Sequence, residues 1–101
     1  MEEYELIFMP EANDELNRIT DFLNTLSPSV AENQRDALID AVDSLSELPN
    51  RCPPARDHKL AEKGYRYLTI KHYLIFFTVS ENDRTVTIRS IIDGRSNYLS
   101  I

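Results

Sequence analysis

The sequence predicts an α+β domain, in which one mostly antiparallel β-sheet is packed on one face by an N-terminal α-helical hairpin. Two observations support this fold, whose elements follow the order β-α-α-β-β-β. Apolar residues recur at intervals of three and four between residues 11 and 48, which is typical of amphipathic helices. β-branched and aromatic residues then dominate positions 65–93, which is typical of strands. Helices followed by a run of strands are characteristic of α+β domains.

Length and composition favour a single domain over residues 1–101. The chain has 101 residues, of which 42% are hydrophobic, enough for one core and too few for two. Its one cysteine, Cys52, has no partner for an internal disulfide, and the N-terminal sequence lacks the features of a secretory signal. No apolar run approaches the roughly 18 residues that a membrane span needs. We therefore expect a cytoplasmic protein without a membrane segment.

Charge is distributed unevenly along the chain. The net charge is −6, but residues 1–50 carry 12 acidic and 2 basic residues, whereas residues 51–101 carry 5 acidic and 9 basic ones. An acidic half that is helical usually presents a solvated surface. A basic half built on a sheet is the kind of surface that binds a polyanion. The predicted sheet is therefore where we look for a functional site.

The first strand and the first helix are separated by a proline. Tyr4–Met9 is short and rich in residues that favour strands, and Pro10 ends it. From Glu11 onward the apolar residues fall on one helical face, and Pro28 stops this helix. The apolar face consists of Ala12, Leu16, Ile19, Phe22, Leu23 and Leu26.

The second predicted helix begins at a capping box and closes at Pro49. Ser29 and Glu32 have the spacing at which each side chain accepts a hydrogen bond from the other residue's backbone N–H. One face of this helix carries acidic residues spaced three and four apart, which is either a solvated face or a docking stripe for a basic partner. These residues are Glu32, Asp36, Asp40, Asp43 and Glu47.

Three consecutive strands are predicted after a proline-rich loop at Pro49–Asp57. Tyr65–Ile70 and Tyr73–Val79 form a hairpin around a polar turn, and Thr85–Asp93 follows as a third strand. The second of these strands is apolar on both faces, which indicates an interior position in the sheet. With the helices on one face, we expect the other face to be free for function.

Two motifs in this half resemble a known family. The Gly-Tyr-Arg that opens the hairpin at Gly64 and the Asp-Gly-Arg that ends the last strand at Arg95 are similar to the RelE/ParE superfamily of toxins. These toxins belong to bacterial type II toxin–antitoxin (plasmid stabilization) systems. The resemblance covers nearly the whole chain and implies a small toxin that is held inactive by a cognate antitoxin protein.

The superfamily implies two activities. RelE-like members cut messenger RNA at the ribosome without a metal, which makes them endoribonucleases, and this mRNA interferase activity is the function we expect. The alternative is that of ParE-like members, which inhibit DNA gyrase and are not enzymes in that role. RNA cleavage needs cations beside a proton donor and acceptor. The candidate catalytic residues are Arg66, Arg95, His72 and Tyr98, and the candidate nucleic-acid-binding residues are Lys71 and Arg89.

One departure from the RelE-like pattern keeps a third interpretation open. RelE-like members typically place an arginine just after the tyrosine that opens the central strand, but here Tyr73 is followed by Leu74. A degenerate member of the fold that acts only as an interaction module would have this property.

Two histidines and one cysteine in separate positions do not predict a metal site, and no cofactor is expected.

Overall fold

The structure, a computed structural model, describes residues 3–94. Its strands are β1 (Glu5–Phe8), β2 (Arg66–Ile70), β3 (Tyr73–Ser80) and β4 (Thr85–Asp93), and its α-helices are α1 (Pro10–Leu26), α2 (Pro28–Asp43) and α3 (His58–Glu62). Two single-turn 3₁₀ helices, Ser44–Ser46 and Pro49–Arg51, connect α2 to the later part of the chain.

The four strands form one mixed sheet in the order β1-β4-β3-β2. β2 pairs with β3 and β3 pairs with β4 in antiparallel fashion, whereas β1 lies parallel to β4. The predicted α+β architecture with a mostly antiparallel sheet is therefore confirmed. β3 is an interior strand, as its apolar character on both faces predicted.

Helices α1 and α2 pack across one face of the sheet and enclose the main core. Leu16 of α1 and Leu38 of α2 are almost fully buried and belong to the same apolar cluster as four completely buried strand residues. These strand residues are Ile75, Phe77, Val86 and Ile88. Each such side chain stabilises the fold by about 1.5–3 kcal/mol when it leaves water, so this layer is the main source of stability.

The junction between α1 and α2 differs from the predicted capping box. α2 begins at Pro28 and its N-cap is Ser27, two residues before the predicted cap Ser29. The Ser27 hydroxyl accepts a hydrogen bond from the backbone N–H of Val30 at 3.4 Å. Pro28 suits the first helical position because it has no N–H to satisfy and its φ is already helical. The assignment of Ser29 as the cap was therefore wrong.

The end of α2 also differs from the prediction. The helix stops at Asp43 rather than continuing to Pro49, and Leu48 adopts a left-handed backbone with φ of 48°. The Arg51 guanidinium donates hydrogen bonds to the carbonyl oxygens of Glu47 at 2.8 Å and Leu48 at 3.1 Å. Carbonyls that lack partners after a helix are commonly satisfied by a basic side chain, which stabilises the earlier exit here.

The second face of the sheet is only partly free. Ala55 and the α3 residue Leu60 pack against Phe76 and form a smaller apolar cluster there. The proline-rich segment that was predicted as a loop thus folds back over this face, and the short helix α3 was not predicted. The uncovered part of the face, toward the β2–β3 turn, is where a pocket remains.

Candidate functional site

The β2–β3 turn sets one end of the candidate site. Lys71 takes a left-handed backbone with φ of 56°, so the two-residue Lys71–His72 connection reverses the chain tightly. The end of β4 is tied to this turn, because the Gly94 N–H donates to the His72 carbonyl at 2.6 Å. A Cβ at Gly94 would lie 3.0 Å from that oxygen. Glycine at this position therefore permits a close approach of two backbones.

A pocket opens on the free part of the sheet face beside this turn. Its volume is about 320 Å³, at the lower end of the range for small-molecule sites. We call it the open-face pocket, and it is lined by Arg56, Tyr67, Thr69, His72, Leu74, Phe76 and Gly94. Leu74 and the buried Phe76 give it an apolar floor, whereas Arg56 and His72 supply polar groups at its rim.

Arg56 is placed at the pocket by Tyr67. Its Nε donates a hydrogen bond to the Tyr67 hydroxyl at 3.1 Å, and its guanidinium carbon lies 5.9 Å from the centre of the tyrosine ring. The ring in turn contacts Phe76, with ring centres 6.2 Å apart. Sequence reasoning did not single out Arg56, although two arginines in a proline-rich loop just before the hairpin were a visible signal.

His72 stands between the turn and the end of β4. Its Nε2 lies 3.8 Å from Asp93 Oδ2, and its ring is 4.2 Å from the ring of Tyr73. About a third of the His72 side chain is exposed, and it lines the open-face pocket. Of the candidate catalytic residues in the described range, His72 is the one that lies at the pocket.

Arg66 lies on the opposite side of the sheet. Its Nη1 donates to the Cys52 carbonyl at 2.5 Å, and its position on β2 faces the helices together with Leu68 and Ile70. Cys52 itself is buried, and burial raises the pKa of its thiol, an effect opposed by the nearby charges of Arg51 and Arg66. This hydrogen bond therefore links the end of the 3₁₀ helix Pro49–Arg51 to the edge strand β2.

The two candidate phosphate-binding residues are also separated. Lys71 is exposed on the β2–β3 turn, whereas Arg89 lies on β4 and donates from Nε to the Thr78 hydroxyl at 3.1 Å. Arg89 sits at a bulge, because Phe76 and Phe77 pair with Ser90 and Ile88 and leave it unmatched. The structure does not bring Arg66 together with Lys71 and Arg89. Arg95 and Tyr98 lie outside the described residues.

A second concave surface lies on the helical side of the sheet. Its volume is about 410 Å³, and it runs between the C-terminal half of α1, Gln34 of α2 and Tyr73. Phe22 and Leu26 on its rim are 64% and 68% exposed, which is unusual for large apolar side chains. We call this surface the helical groove. Four residues of the predicted acidic stripe lie on α2 and Glu47 lies beyond its end; all five side chains are exposed, and the groove is lined by other residues.

Neither a metal centre nor a membrane helix is visible in the part of the chain that the structure describes. Within residues 3–94, no three His, Cys, Asp or Glu side chains are grouped as ligands for a metal ion. None of the helices in this range is both long and apolar enough to cross a bilayer.

Comparison with known structures identifies similar folds. The chain superposes on a chain of the chromosomal ParDE toxin–antitoxin system from P. aeruginosa with a TM-score of 0.74 and 20% identity, over 90% of this chain and 96% of the other. It also resembles a chain of the RelBE2 toxin–antitoxin complex from Mycobacterium tuberculosis, with a TM-score of 0.67 and 18% identity over 90% and 98% of the two chains. At these identities, the likeness establishes the fold.

The sequence itself establishes the family. No curated protein matches the chain significantly. Residues 6–98, however, match the family described as the ParE toxin of the type II toxin–antitoxin system parDE, which is nearly the full length of the chain. The order of elements, the mixed four-stranded sheet and the paired helices agree with this match. The chain therefore belongs to the ParE toxin family of type II toxin–antitoxin systems, within the RelE/ParE superfamily.

Proposed function

We propose that this toxin inhibits bacterial growth by binding DNA gyrase through protein–protein contacts. It acts in the cytoplasm and is neutralised by a cognate antitoxin. The observation that carries the choice of target is the hydrogen bond from Arg66 to the Cys52 carbonyl, on the helix-facing side of the sheet. An RNA-cleaving site needs its cations beside the proton-transfer groups. Arg66 instead contacts the Cys52 carbonyl and does not line the pocket where His72 lies.

The floor of the open-face pocket supports the same choice. Leu74 occupies the position where RelE-like members typically carry an arginine, and here it forms an apolar floor together with Phe76. An apolar floor stabilises a bound side chain by excluding water and offers nothing to a phosphate. Protein binding uses such a surface better than cleavage of RNA.

The second candidate function is ribosome-dependent cleavage of mRNA. It is favoured by the presence of His72 and Arg56 at one pocket, where a proton-transfer group lies beside a cation. In this candidate Arg95 and Tyr98 complete the catalytic set, and Lys71 and Arg89 contact phosphates. Arg66 contributes to it through the fold rather than at the pocket.

The antitoxin is proposed to cover the helical groove. The solved relatives are described as toxin–antitoxin assemblies, which supports a protein partner for this chain. The exposed Phe22 and Leu26 supply apolar area that a partner removes from water, at roughly 25 cal/mol per Å². Binding of such a partner covers apolar surface that the free toxin exposes to water.

One pair of assays separates the candidates. The purified toxin is added to DNA gyrase with relaxed plasmid and ATP, and separately to ribosomes translating a defined mRNA. We expect loss of supercoiling or accumulation of cleaved DNA in the first assay, intact mRNA in the second, and rescue of gyrase by the antitoxin. Cleaved mRNA with unaffected gyrase would establish the second candidate. A toxin that affects neither and does not slow growth is an interaction module, which would refute both.

A further inference from the structure

We propose that the outer edge of β2 and the open-face pocket together bind an extended acidic segment of a protein partner. The backbone of this segment pairs with Thr69, one apolar side chain enters the pocket, and one carboxylate contacts Arg56. The inference rests on the proposed function, because it describes the chemistry of the segment of the target protein that the toxin binds.

The edge of β2 is already used by the chain itself. The Pro53 carbonyl accepts a hydrogen bond from the Tyr67 N–H at 3.2 Å, and the Ala55 N–H donates to the Tyr65 carbonyl at 2.9 Å. Strand backbone groups alternate in direction, so the N–H and C=O of Thr69 point to this same edge. Within residues 3–94, no backbone group pairs with Thr69 there. An incoming strand continues the pairing that residues 53–55 begin.

The pocket lies directly beside that position. Tyr67 and Thr69, whose side chains project from the same face of β2, form its wall, and Leu74 and Phe76 form its floor. Phe76 is only 2% exposed, so the floor is fixed rather than adaptable. Alternate side chains of an added strand point to one face of the sheet, and one of them therefore enters the pocket. A volume of about 320 Å³ accommodates an aliphatic or aromatic side chain.

Arg56 adds a requirement for negative charge. Its exposed guanidinium has five N–H donors, of which Nε–H is bonded to the Tyr67 hydroxyl, and a carboxylate that reaches the pocket rim forms a charge-assisted hydrogen bond with it. A residue two positions from the apolar one lies on the same face of an added strand. The expected segment therefore carries an acidic residue and an apolar residue separated by one position.

A peptide fits this surface better than a nucleic acid. Single-stranded nucleic acids are bound along a track of several cations with flat aromatic platforms. Among the lining residues that belong to the described range 3–94, Arg56 is the one arginine, and the floor is aliphatic as well as aromatic. An exposed strand edge, moreover, pairs its backbone N–H and C=O groups with those of a peptide, and a sugar–phosphate chain has no such repeating amide groups.

Titration with short peptides, followed by backbone NMR spectra of the full chain, tests the proposal. The probes are acetyl-Thr-Glu-Thr-Leu-Thr-amide and the peptide with Glu and Leu exchanged, which covers both strand directions. We expect saturable shifts at the Thr69 and Leu74 amides. Replacing Glu by Gln in the peptide should weaken binding about tenfold, and N-methylation of its Leu, whose N–H faces the edge of β2 when the side chain enters the pocket, should abolish it.

Protein variants provide the matched controls. Arg56→Gln should weaken the acidic peptide about tenfold and leave the Gln peptide unchanged. Arg18→Gln, at an exposed arginine on α1, should leave both unchanged. Shifts confined to the helical groove, an absence of saturable binding by about 10 mM peptide, or tighter binding of a uridine pentanucleotide at the same amides would overturn the inference. If gyrase is still inhibited, only this inference fails and the proposed function stands.

Discussion

The carboxylate of Glu15 on α1 accepts a hydrogen bond from the backbone N–H of Ile91 on β4 at 3.0 Å. The same carboxylate accepts one from the Ser90 hydroxyl at 3.1 Å. β1 pairs with β4 only as far as Ile88, so the next part of that strand edge has no neighbouring strand in the described chain. Glu15 thus supplies the hydrogen-bond acceptor that a neighbouring strand would otherwise provide, and this contact links α1 to the sheet.

We expect Glu15→Ala to lower the free energy of unfolding by about 2 kcal/mol, because the buried Ile91 N–H would lose its acceptor. Urea denaturation followed by circular dichroism measures this change. The matched control is Asp21→Ala, at an exposed acidic residue on the same helix, which should change stability by less than about 0.5 kcal/mol. Equal effects of the two substitutions would show that Glu15 acts only through general charge.

Arg66→Ala should lower the free energy of unfolding by about 2 kcal/mol, because the Cys52 carbonyl loses a charged donor. The control Arg18→Ala removes an exposed arginine and should have little effect. Growth inhibition should decline only as far as the folded fraction of Arg66→Ala declines. A fall of a hundredfold or more in a fully folded variant would instead make Arg66 a catalytic cation, as the sequence resemblance implied.

The pH dependence of stability should contain a contribution from Glu81. Hydrogen bonds from Asn50 and Tyr4, together with the charge of Arg84, hold the pKa of this carboxyl below its ordinary value of 4.5. A carboxyl whose pKa is lowered in the folded state stabilises the fold above pH 4.5, and the stabilisation is lost as pH falls through the folded-state pKa. Wild type should therefore lose stability between pH 6 and pH 3 more steeply than Glu81→Gln does.

The control for this measurement is Asn33→Ala, at an exposed residue of α2 without an ionisable side chain, which should follow the wild-type pH profile. Urea midpoints at several pH values give the comparison directly. Parallel profiles for wild type and Glu81→Gln would contradict the assignment.

Gly94→Ala should disturb the open-face pocket. The added Cβ would lie 3.0 Å from the His72 carbonyl oxygen and 3.4 Å from Leu74 Cγ, and the first of these is a backbone atom that cannot rotate away. We expect a loss of about 1–2 kcal/mol in stability and altered NMR signals for His72 and Leu74. The substitution reports on packing between the turn and the end of β4.

Gly64→Ala is the matched glycine control. Gly64 has φ of 84° and open space around its Cβ position, so alanine there costs about 1 kcal/mol through backbone conformation alone. The NMR signals of His72 and Leu74 should be the same in Gly64→Ala as in the wild type. Shifts at these residues in Gly64→Ala and not in Gly94→Ala would refute the packing argument.

The fold was predictable because its signals are local and periodic. The apolar spacing of α1 and the alternation of β4 each follow from burial on one face, and the predicted bounds of β4 agree with the structure at both ends. The early end of α2 was not predictable from periodicity, because the apolar pattern continues through Leu45 and Leu48. Arg51, which donates to the carbonyls of Ser44, Glu47 and Leu48 just after the helix, comes from further along the chain.

The candidate site was harder to predict because it depends on chain segments that meet from a distance. Alternation correctly put Arg66 with Leu68, but it could not reveal that the acceptor would be the carbonyl of Cys52. Arg56 reaches the pocket because Ala55 pairs with the edge of β2, a contact between a loop and a strand that no local pattern encodes. His72 was identified as a turn residue, and the turn is where the pocket lies.

The parallel pairing of β1 with β4 bears on how this protein is made. Glu5 lies opposite Thr85, so the first strand acquires its neighbour only after residue 85 has been synthesised. β4 also lies between β1 and β3 in the sheet. In a fragment that ends before β4, β1 therefore has no strand that joins it to the β2–β3 hairpin. Contacts this far apart along the chain form late and close a long loop. A polypeptide interrupted before residue 85 should therefore be unfolded and harmless, and a cell that aborts translation of this gene is spared its toxicity.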